Sequence, residues 1–377
     1  MQNEEKGSGG VFLSPGMKNP PDPFSFSVSD LTEAELIARI TGRLPTAPDW
    51  MVVGIGDDAA VVELERNRLD VLSVDALVDG VHFDRAFAPP HAIGHRAMAV
   101  NLSDLAAMGA APRLALVSFA LPHGLTLDEF DSIVDGFTAL AARCRVTIGG
   151  GNLTRTPGPL TIDVTVLGTV KRRRALTRGG ARPGDDLYVS GVVGGAAAGL
   201  GMLRGKLSTT EDSDLQKGNR IGPSQVLSSV SSVSSVESCI TRYLYPEPRL
   251  RLGMALSRNR AATACIDLSD GLADAVRQVA EASGVGAVID AGALPIDAEA
   301  RRWFDAHGRD AVEQALASDD YELLIASRPR VERVLRAAAR HGGVPLTKIG
   351  ACTADRSLVL KQDGSDRPMP RGFTHFR

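Results

Sequence analysis

The sequence contains little of what marks several common classes of protein. Its four cysteines lie far apart, and no two have Cys-x-x-Cys spacing, which argues against a zinc knuckle or a disulfide framework and favours a reducing compartment. The formal net charge is −3 and no extended block of Lys and Arg stands out, so we expect no nucleic-acid partner. No apolar run approaches the ~18 residues that a membrane-spanning helix needs, so we expect no membrane partner either.

What is present is the composition of an ordinary globular protein. Apolar residues make up 44 % of the chain, charged residues 23 % and aromatic residues 5 %, which is enough apolar material for a sizeable core. The length of 377 residues favours two domains of roughly 150–200 residues. The opening MQNEEKGSGG has two glutamates and no apolar core, so we expect no secretory signal and a cytoplasmic location.

The pattern along the chain predicts two mixed α/β domains with loose segments around them. Residues 1–28 are polar and rich in Gly and Pro, which predicts a flexible leader. The basic run KRRR and the turn RPGDD indicate a joint, so we place an N-terminal domain at 29–170 and a C-terminal domain at 171–377. Within the latter, a Ser-rich stretch with SSVSSVSSVES predicts a mobile insertion at about 205–240.

Several segments predict individual helices and strands. Capping-box spacing of Thr32 with Glu35, and of Thr126 with Glu129, predicts two helix starts. The Ala-rich segment IGHRAMAVNLSDLAAMGA predicts a long helix that Gly109 ends. The strict alternation in LTIDVTVLGTV predicts a strand with one buried face.

Four short segments concentrate carboxylates beside small residues. They are GDDAA at 56–60, SVDALVDGVHF at 73–83, NLSDLAAMGA at 101–110 and IDLSDG at 266–271. Each lies at a predicted strand end or early in a predicted helix, where sites usually form. Carboxylates gathered in a cleft repel one another and lose solvation, so they need a counter-ion. Mg²⁺ is the natural one, because it takes oxygen ligands and shares them with substrate phosphates.

The segment Gly-Asp-Asp occurs twice, and a structural turn is a competing explanation for it. We interpret PGDDLYV at 183–189 as such a turn, whereas for GIGDDAA at 54–60 both interpretations stay open. GIGDDA also matches the dinucleotide pattern G-x-G-x-x-A, but its two aspartates would repel a pyrophosphate. The sequence contains no P-loop, protein-kinase catalytic loop or G-x-S-x-G elbow.

Three further features could contact a phosphorylated ligand. His82 stands beside an acidic segment, although a lone histidine is more often structural. The glycines before Asn152 and Thr154 predict a flexible loop whose N–H groups could face phosphates. Arg178 could clamp a phosphate with two hydrogen bonds, although a solvated loop arginine is an equally good interpretation.

Six segments of the chain together match a known family. They are GIGDDAAVV, DGVHF, AVNLSDLAAMGAAP, ALTRGGARPGD, IDLSDGL and DYEL. They resemble the thiamine-monophosphate kinases, a branch of the aminoimidazole-ribonucleotide-synthetase-like ATP-binding superfamily. The resemblance implies a mixed α+β fold, with an N-terminal α/β domain whose sheet pairs with its twin in a homodimer and a C-terminal α/β sandwich domain. It also implies ATP as co-substrate, several Mg²⁺ ions, and transfer of the γ-phosphate of ATP onto thiamine monophosphate to give thiamine diphosphate.

The resemblance assigns roles to individual residues. It implies metal contacts by Asp58, Ser73, Val74, Asp75, Asp104, Asp267 and Asp270, with Val74 able to help only through its carbonyl. It implies ATP contacts by Gly151, Asn152, Arg178 and Ser269, and substrate contacts by His82, Asp319 and Pro370. It implies no catalytic general base, because the accepting phosphate monoester is largely dianionic at neutral pH, with a second pKa of ~6.

The chain departs from the usual family pattern at three of these positions. Asn152 stands where the family has Asp, Asp319 stands where it has Glu, and Pro370 aligns where it often stacks an aromatic ring on thiamine. Phe373 and Phe376 are nearby and could substitute for that ring. Two alternatives therefore stay open: another ATP-using enzyme of the superfamily, such as a selenophosphate synthetase or a hydrogenase-maturation enzyme, and a homologue with weakened catalysis.

Overall fold

Two mixed layers of sheet and helix organise the chain, one built on four strands and the other on seven. The computed structural model describes residues 26–205 and 235–370. The strands are β1 Met51–Val53, β2 Val61–Val62, β3 Arg68–Val78, β4 Ala111–Pro122, β5 Thr147–Thr156, β6 Thr161–Lys171, β7 Asp186–Ser190, β8 Ala264–Asp267, β9 Gly286–Asp290, β10 Leu323–Ser327, β11 Leu346–Thr353, β12 Leu358–Gln362 and β13 Ser365–Pro368. The helices are α1 Glu33–Thr41, α2 Pro90–Ala107, α3 Leu127–Cys144, α4 at 195–205, α5 Ser235–Leu244, α6 Leu250–Asn259, α7 Leu272–Ser283, α8 Ala298–Ala306, α9 Ala311–Leu316 and α10 Glu332–Gly342.

The four-stranded sheet has the order β3-β6-β4-β5. Its strand β6 alternates as predicted, with Ile162, Val164 and Val166 buried and the residues between them half-buried. The buried face lies against α2, which contacts β3, β4 and β6 and is itself packed on α3. The opposite face exposes apolar side chains, including Leu72 and Val74. This sheet is therefore covered by helices on one face within the described chain.

The predicted capping boxes are both confirmed. The side chain of Thr32 accepts from the N–H of Glu35 at the start of α1, and Glu35 accepts from the N–H of Thr32. Thr126 and Glu129 make the same pair of bonds at the start of α3. Local side chains satisfy helix N–H groups that have no partner within the helix, which is why four-residue spacings locate these ends.

The seven-stranded sheet has the order β13-β12-β9-β11-β7-β10-β8. Its pairs are antiparallel except β9 with β12, which run parallel. Strands β7, β8 and β10 are buried along their whole length, which fits their continuous apolar runs. Strand β8 ends the sheet on one side and stops at Asp267. The end of this edge strand therefore delivers a carboxylate to the layer boundary.

Helix α2 joins the two layers. Every residue from Ala92 to Ala107 is buried except the half-buried Asp104, and the Ala-rich sequence with no polar stripe is typical of a helix enclosed on all sides. Its last turn meets α6 so closely that a Cβ on Gly253 would lie 2.0 Å from the carbonyl oxygen of Ala106. Side chains of α5, including Tyr243, belong to the same apolar core as the four-stranded sheet.

The structure corrects the prediction of a loop after Gly149, and it describes only the margins of the predicted leader and insertion. The segment after Gly149 is not a flexible loop, because β5 runs through it to Thr156, paired with β4. Most of the predicted leader and of the Ser-rich insertion lies outside the described residues. Residues 235–240 belong to α5, where Cys239 is buried. None of the helices in the described ranges has the length and apolar character needed to cross a bilayer.

Candidate active site

Polar side chains of α2 and β3 meet on the covered face of the four-stranded sheet. Asn101 and Asp104 are three apart on α2, which places them on the same side of the helix. The Oδ1 atom of Asn101 accepts from the N–H of Asp75 at 3.0 Å, and the hydroxyl of Ser73 donates to the carboxylate of Asp104. Val74 lies between these two strand residues and points to the opposite face, where it is 57 % exposed. Only its backbone could therefore take part in a site on this side.

The end of β8 brings a further carboxylate to the same place. Ser103 of α2 donates its hydroxyl hydrogen to Oδ2 of Asp267 at 2.7 Å. On the other oxygen of Asp267, the hydroxyl of Ser269 lies 3.5 Å away. Asp270 follows in the loop before α7 and is half-buried. The structure thus brings together predicted residues from three separate segments, and we call Asp75, Asp104 and Asp267 the acidic cluster.

The electrostatics of the acidic cluster are those of like charges in a confined space. Asp267 is 4 % exposed, and its burial, together with the nearby carboxylates of Asp104 and Asp75, raises its pKa to about 7. Burial also raises the pKa of Asp104. The positive charge of Arg178 acts in the opposite direction and lowers the pKa of both carboxyl groups. The guanidinium of Arg178 also donates a hydrogen bond to Oε1 of Gln278 at 2.6 Å. At Asp267, burial and the neighbouring carboxylates therefore outweigh the positive charge of Arg178.

The donor atoms of this cluster fit a hard divalent cation. They are carboxylate and hydroxyl oxygens, which Mg²⁺ prefers. In the described part of the chain, no group of three or more His, Cys, Asp or Glu side chains is arranged to hold a metal ion by itself. Mg²⁺ usually keeps several waters and binds through one or two carboxylates plus substrate phosphates, so it does not need such a cage. Asp104 is half-buried and raises the pKa of the buried Asp267, and these two carboxylates are the pair that fits.

The first Gly-Asp-Asp segment lies in the loop between β1 and β2. Asp57 and Asp58 are both exposed, and the N–H of Asp58 donates to Oδ1 of Asp57 at 2.9 Å. Asp57 thus supports the turn through its neighbour's backbone. A metal contact by Asp58 stays a prediction.

Two of the predicted ATP residues lie in β5, at the opposite edge of the sheet from β3. Gly151 pairs with Val117 of β4, and a Cβ on it would stand 1.8 Å from the carbonyl oxygen of that residue, so a larger residue would force the strands apart. Asn152 is exposed beside Ser118, with Nδ2 3.5 Å from the hydroxyl oxygen. Three strand spacings separate β5 from β3, ~14 Å in all. Gly151 and Asn152 therefore lie three strands away from Ser73 and Asp75, and their contact with ATP stays a prediction.

The predicted substrate residue Asp319 belongs to a second group of polar side chains beside the cluster. Its carboxylate accepts from a guanidinium NH₂ of Arg96 on α2 at 2.5 Å. The ring of Tyr321 lies 5.4 Å from the same guanidinium. Burial raises the pKa of Tyr321, and the carboxylates of Asp319, Asp267 and Asp75 raise it further. Tyr321 therefore lies within the electrostatic field of Asp319 and of two carboxylates of the acidic cluster.

The remaining substrate predictions lie at the margins of the described chain or of the sheet. His82 is half-buried in the turn after β3, where its Nδ1 accepts from the N–H of Val78 at 3.1 Å. Pro370 is half-buried just after β13. Phe373 and Phe376 lie outside the described residues. These roles stay predictions.

Sequence reasoning missed three residues of the site. Asn101 and Ser103 lie inside the quoted segment NLSDL, and helical spacing from Asp104 was the available clue. Arg96 had no such clue, because its partner Asp319 is 223 positions away.

The two layers and the acidic cluster between them define a protein of the AIR synthase related class. The model of the AIR synthase related protein N-terminal domain matches residues 56–170, and that of the C-terminal domain matches residues 182–363.

Individual relatives narrow the class. The thiamine-monophosphate kinase of Escherichia coli O157:H7 is 36 % identical over 355 residues, which cover 91 % of this chain and 98 % of that protein. The solved thiamine-monophosphate kinase of Stenotrophomonas maltophilia is 36 % identical, with coverage of 89 % and 98 % and a TM-score of 0.73. A solved AaThiL structure, complexed with AMPPCP and TMP, is 28 % identical, with coverage of 94 % and 100 % and a TM-score of 0.66. The chain belongs to the thiamine-monophosphate kinase family.

Proposed function

We propose that this protein transfers the γ-phosphoryl group of ATP to the phosphate of thiamine monophosphate, producing thiamine diphosphate and ADP. The observation that carries this proposal is the agreement between full-length relatives named as thiamine-monophosphate kinases and an acidic cluster built from the expected segments. The AaThiL relative was solved with AMPPCP, an ATP analogue, and TMP, which supports the same pair of substrates here.

The reaction joins two polyanions, so charge and position determine its rate. An oxygen of the thiamine monophosphate forms a bond to the γ-phosphorus of ATP, while the bond from that phosphorus to the β–γ bridging oxygen breaks and ADP leaves with the electron pair. The acceptor oxygen is already ionised at neutral pH, so no side chain has to remove a proton. Bound Mg²⁺ would neutralise phosphate charge in this site.

The chain's own residues hold and orient the reacting groups. We propose that Asp75, Asp104 and Asp267 hold the magnesium ions, and that the hydroxyls of Ser73 and Ser103 keep two of these carboxylates in place. A carboxylate held in place by a hydroxyl needs little rearrangement when the substrate binds, so the free-energy cost of reorganisation is small.

The remaining assignments are also proposals. Asp58, Ser73, Val74 and Asp270 complete the metal contacts, while Gly151, Asn152, Arg178 and Ser269 contact ATP and His82, Asp319 and Pro370 contact the thiamine substrate. Arg178 is supported by its electrostatic effect on the acidic cluster. We also propose a cytoplasmic location, since all four cysteines are free and nucleotide substrates are abundant there.

We propose further that the protein is a homodimer that pairs through the open face of its four-stranded sheet. Leu72 is 66 % exposed and Val74 57 % exposed on this face, with Leu116 beside them at 37 %. An exposed apolar sheet face of this kind is typical of an interface. Light scattering should give about twice the chain mass of 39.7 kDa, and Leu72→Glu should give the monomer mass.

One experiment tests the activity. The protein is incubated with ATP, Mg²⁺ and thiamine monophosphate, and chromatography measures thiamine diphosphate and ADP, with a control lacking the thiamine substrate. Equal amounts of both products support the proposal. Binding of thiamine monophosphate without product would support the weakened homologue, for which Asn152 is the specific observation, and ATP use only with another acceptor would support a sister enzyme.

A further inference from the structure

Arg96 occupies an unusually enclosed position for an arginine. Its side chain is 6 % exposed, and its guanidinium lies over the ring of Tyr243 at 4.7 Å and over the ring of Tyr321 at 5.4 Å. One terminal nitrogen donates to the carbonyl oxygen of Tyr243 at 2.6 Å, while its buried Nε has no hydrogen-bond partner among the described residues. The guanidinium is thus enclosed by two aromatic rings and a carbonyl oxygen.

The other terminal nitrogen of Arg96 reaches across the layer boundary to Asp319. The two atoms of the ion pair are 2.5 Å apart, and the side chain of Asp319 is 31 % exposed. A ligand can therefore reach the aspartate, whereas the arginine behind it is closed off. Any effect of Arg96 on a ligand at this position must pass through Asp319.

The segment that carries Asp319 is tied to the acidic cluster through the backbone. Tyr321 adopts the left-handed conformation, with φ +52°, and its N–H donates to the carbonyl oxygen of Leu268 at 3.3 Å. The N–H of Leu268 in turn donates to the carbonyl oxygen of Glu322 at 2.8 Å. Leu268 directly follows Asp267, so two backbone hydrogen bonds join the loop with Asp319 and the end of β8 into one unit.

Helix α2 holds this unit at two points. Ser103 binds Asp267, and Arg96, about two turns earlier on the helix, binds Asp319. One helix therefore sets the distance between the metal-side carboxylate and the substrate-side carboxylate. A short aspartate side chain in a loop would otherwise sample several rotamers.

We propose that Arg96 is a positioning residue that orients the carboxylate of Asp319 toward the positively charged thiazolium ring of thiamine monophosphate. The proposal rests on the proposed function, because it presumes that substrate. A carboxylate is the side-chain group that complements an organic cation, and its orientation sets how much of that attraction the bound substrate receives. Because Arg96 is enclosed behind Asp319, it would act on substrate binding rather than on phosphoryl transfer.

The test is a double-mutant cycle on Arg96→Lys and Asp319→Asn. Lysine keeps the charge but loses the planar group that lies over the two rings, so this variant isolates orientation from charge. We expect Arg96→Lys to raise KM for thiamine monophosphate about tenfold, the loss of roughly one well-placed ionic hydrogen bond. KM for ATP and kcat should stay within about twofold, and in the Asp319→Asn background Arg96→Lys should change KM for thiamine monophosphate less than twofold.

Arg143→Lys is the matched control. Arg143 also forms an ion pair between distant segments of the chain, at 2.5 Å from Glu247, but both side chains are about half exposed, so its replacement should leave both KM values unchanged. Arg96→Met gives a second variant that lacks the charge. An additive cycle, an unchanged KM in Arg96→Lys, or a lower KM in Arg96→Met would overturn the positioning role.

Failure of the proposed function has a different outcome. Calorimetry measures the Kd of thiamine monophosphate without ATP for the wild-type protein and the same variants. If the wild-type protein binds this substrate without turnover, the double-mutant cycle is evaluated from these Kd values. Wild-type protein that neither binds nor phosphorylates thiamine monophosphate would refute both proposals. An active wild-type protein with an additive cycle would refute the role of Arg96 alone.

Discussion

Two buried carboxylates on neighbouring strands of the seven-stranded sheet have opposite surroundings. Glu322, directly before β10, is fully buried and accepts from Nε of Arg249 at 2.7 Å and from the hydroxyl of Ser190. Asp267, at the end of β8, is also buried, but it accepts from serine hydroxyls and faces other carboxylates. The first acid carries its counter-charge within the fold. The second has neighbours of its own sign, which is the arrangement expected where an external cation and a phosphate substrate bind.

The two Gly-Asp-Asp segments show the same contrast. Asp185 is 4 % exposed, and its Oδ2 accepts from the N–H of Arg182 at 3.0 Å and from the hydroxyl of Thr263 at 2.7 Å. Asp58 is exposed in its loop. The interpretation of PGDDLYV as a structural turn is confirmed by these contacts. The same tripeptide thus forms a turn with buried aspartates at 184–186, where other segments contact it, and an exposed turn at 56–58.

Asp267→Asn should separate activity from stability most clearly. We expect turnover with thiamine monophosphate to fall about 10³-fold, because the metal-binding charge is lost. The free energy of unfolding should stay equal or increase, because a repelled buried charge is removed. Steady-state kinetics and urea unfolding measure the two quantities, with Asp305→Asn on the exposed surface of α8 as the control. Near-normal turnover would contradict the assignment of Asp267 as a metal residue.

Glu322→Gln should lower the free energy of unfolding, in contrast to Asp267→Asn. Removing this charge leaves Arg249 largely buried without its ionic partner, so the free energy of unfolding should fall by about 3 kcal/mol. Urea unfolding measures the loss. The double replacement Arg249→Met with Glu322→Leu should recover most of it, because neither charge then stays unpaired. A stability unchanged in Glu322→Gln would show that the pair is not structural.

Alanine replacements in the two Gly-Asp-Asp segments should sharpen the second contrast. Asp185→Ala removes the acceptor of two donors in a partly buried turn, so we expect a loss of about 1 kcal/mol in unfolding free energy. Asp58→Ala should change stability by less than about 0.5 kcal/mol while lowering turnover by about tenfold or more. Equal effects of the two variants on stability, or no effect of Asp58→Ala on turnover, would remove the distinction.

The pH dependence of stability should identify the acidic cluster in metal-free protein. The folded pKa of Asp267 is raised to about 7, above its ordinary value near 4, so between these values the folded state binds more protons than the unfolded state. Stability therefore falls as pH rises through this window, and both Asp267→Asn and added Mg²⁺ should flatten the fall. Burial raises the pKa of Asp131, but the hydrogen bonds and charges of Arg39 and Arg43 together outweigh burial and leave the pKa lowered. The contribution of Asp131 to stability is therefore lost only as pH falls below about 4. Thermal unfolding across pH 3–8 separates the two windows.

Local sequence patterns were sufficient for much of the secondary structure. The capping boxes at Thr32 and Thr126 and the alternating strand β6 rest on spacings of two to four residues, and each is confirmed. The glycines at 149–151 were misleading, because they suggested a loop. In the structure Gly151 serves the close pairing of β5 with β4, where a Cβ has no room. Glycine in a sequence indicates either a flexible backbone or a close approach of two backbones, and only the neighbouring strand shows which of the two applies.

The sequence by itself determined which residue types and short segments this protein offers for chemistry, and the family to which they belong. Carboxylates beside small residues, with no competing nucleophile motif, are properties of composition and spacing. Only the tertiary structure decided which carboxylates face an arginine and which face other carboxylates. Ser103 reaches Asp267 across 164 positions of sequence and Arg96 reaches Asp319 across 223. Such contacts come from the packing of one enclosed helix between two sheets, and the balance of charge at each acid follows from that packing.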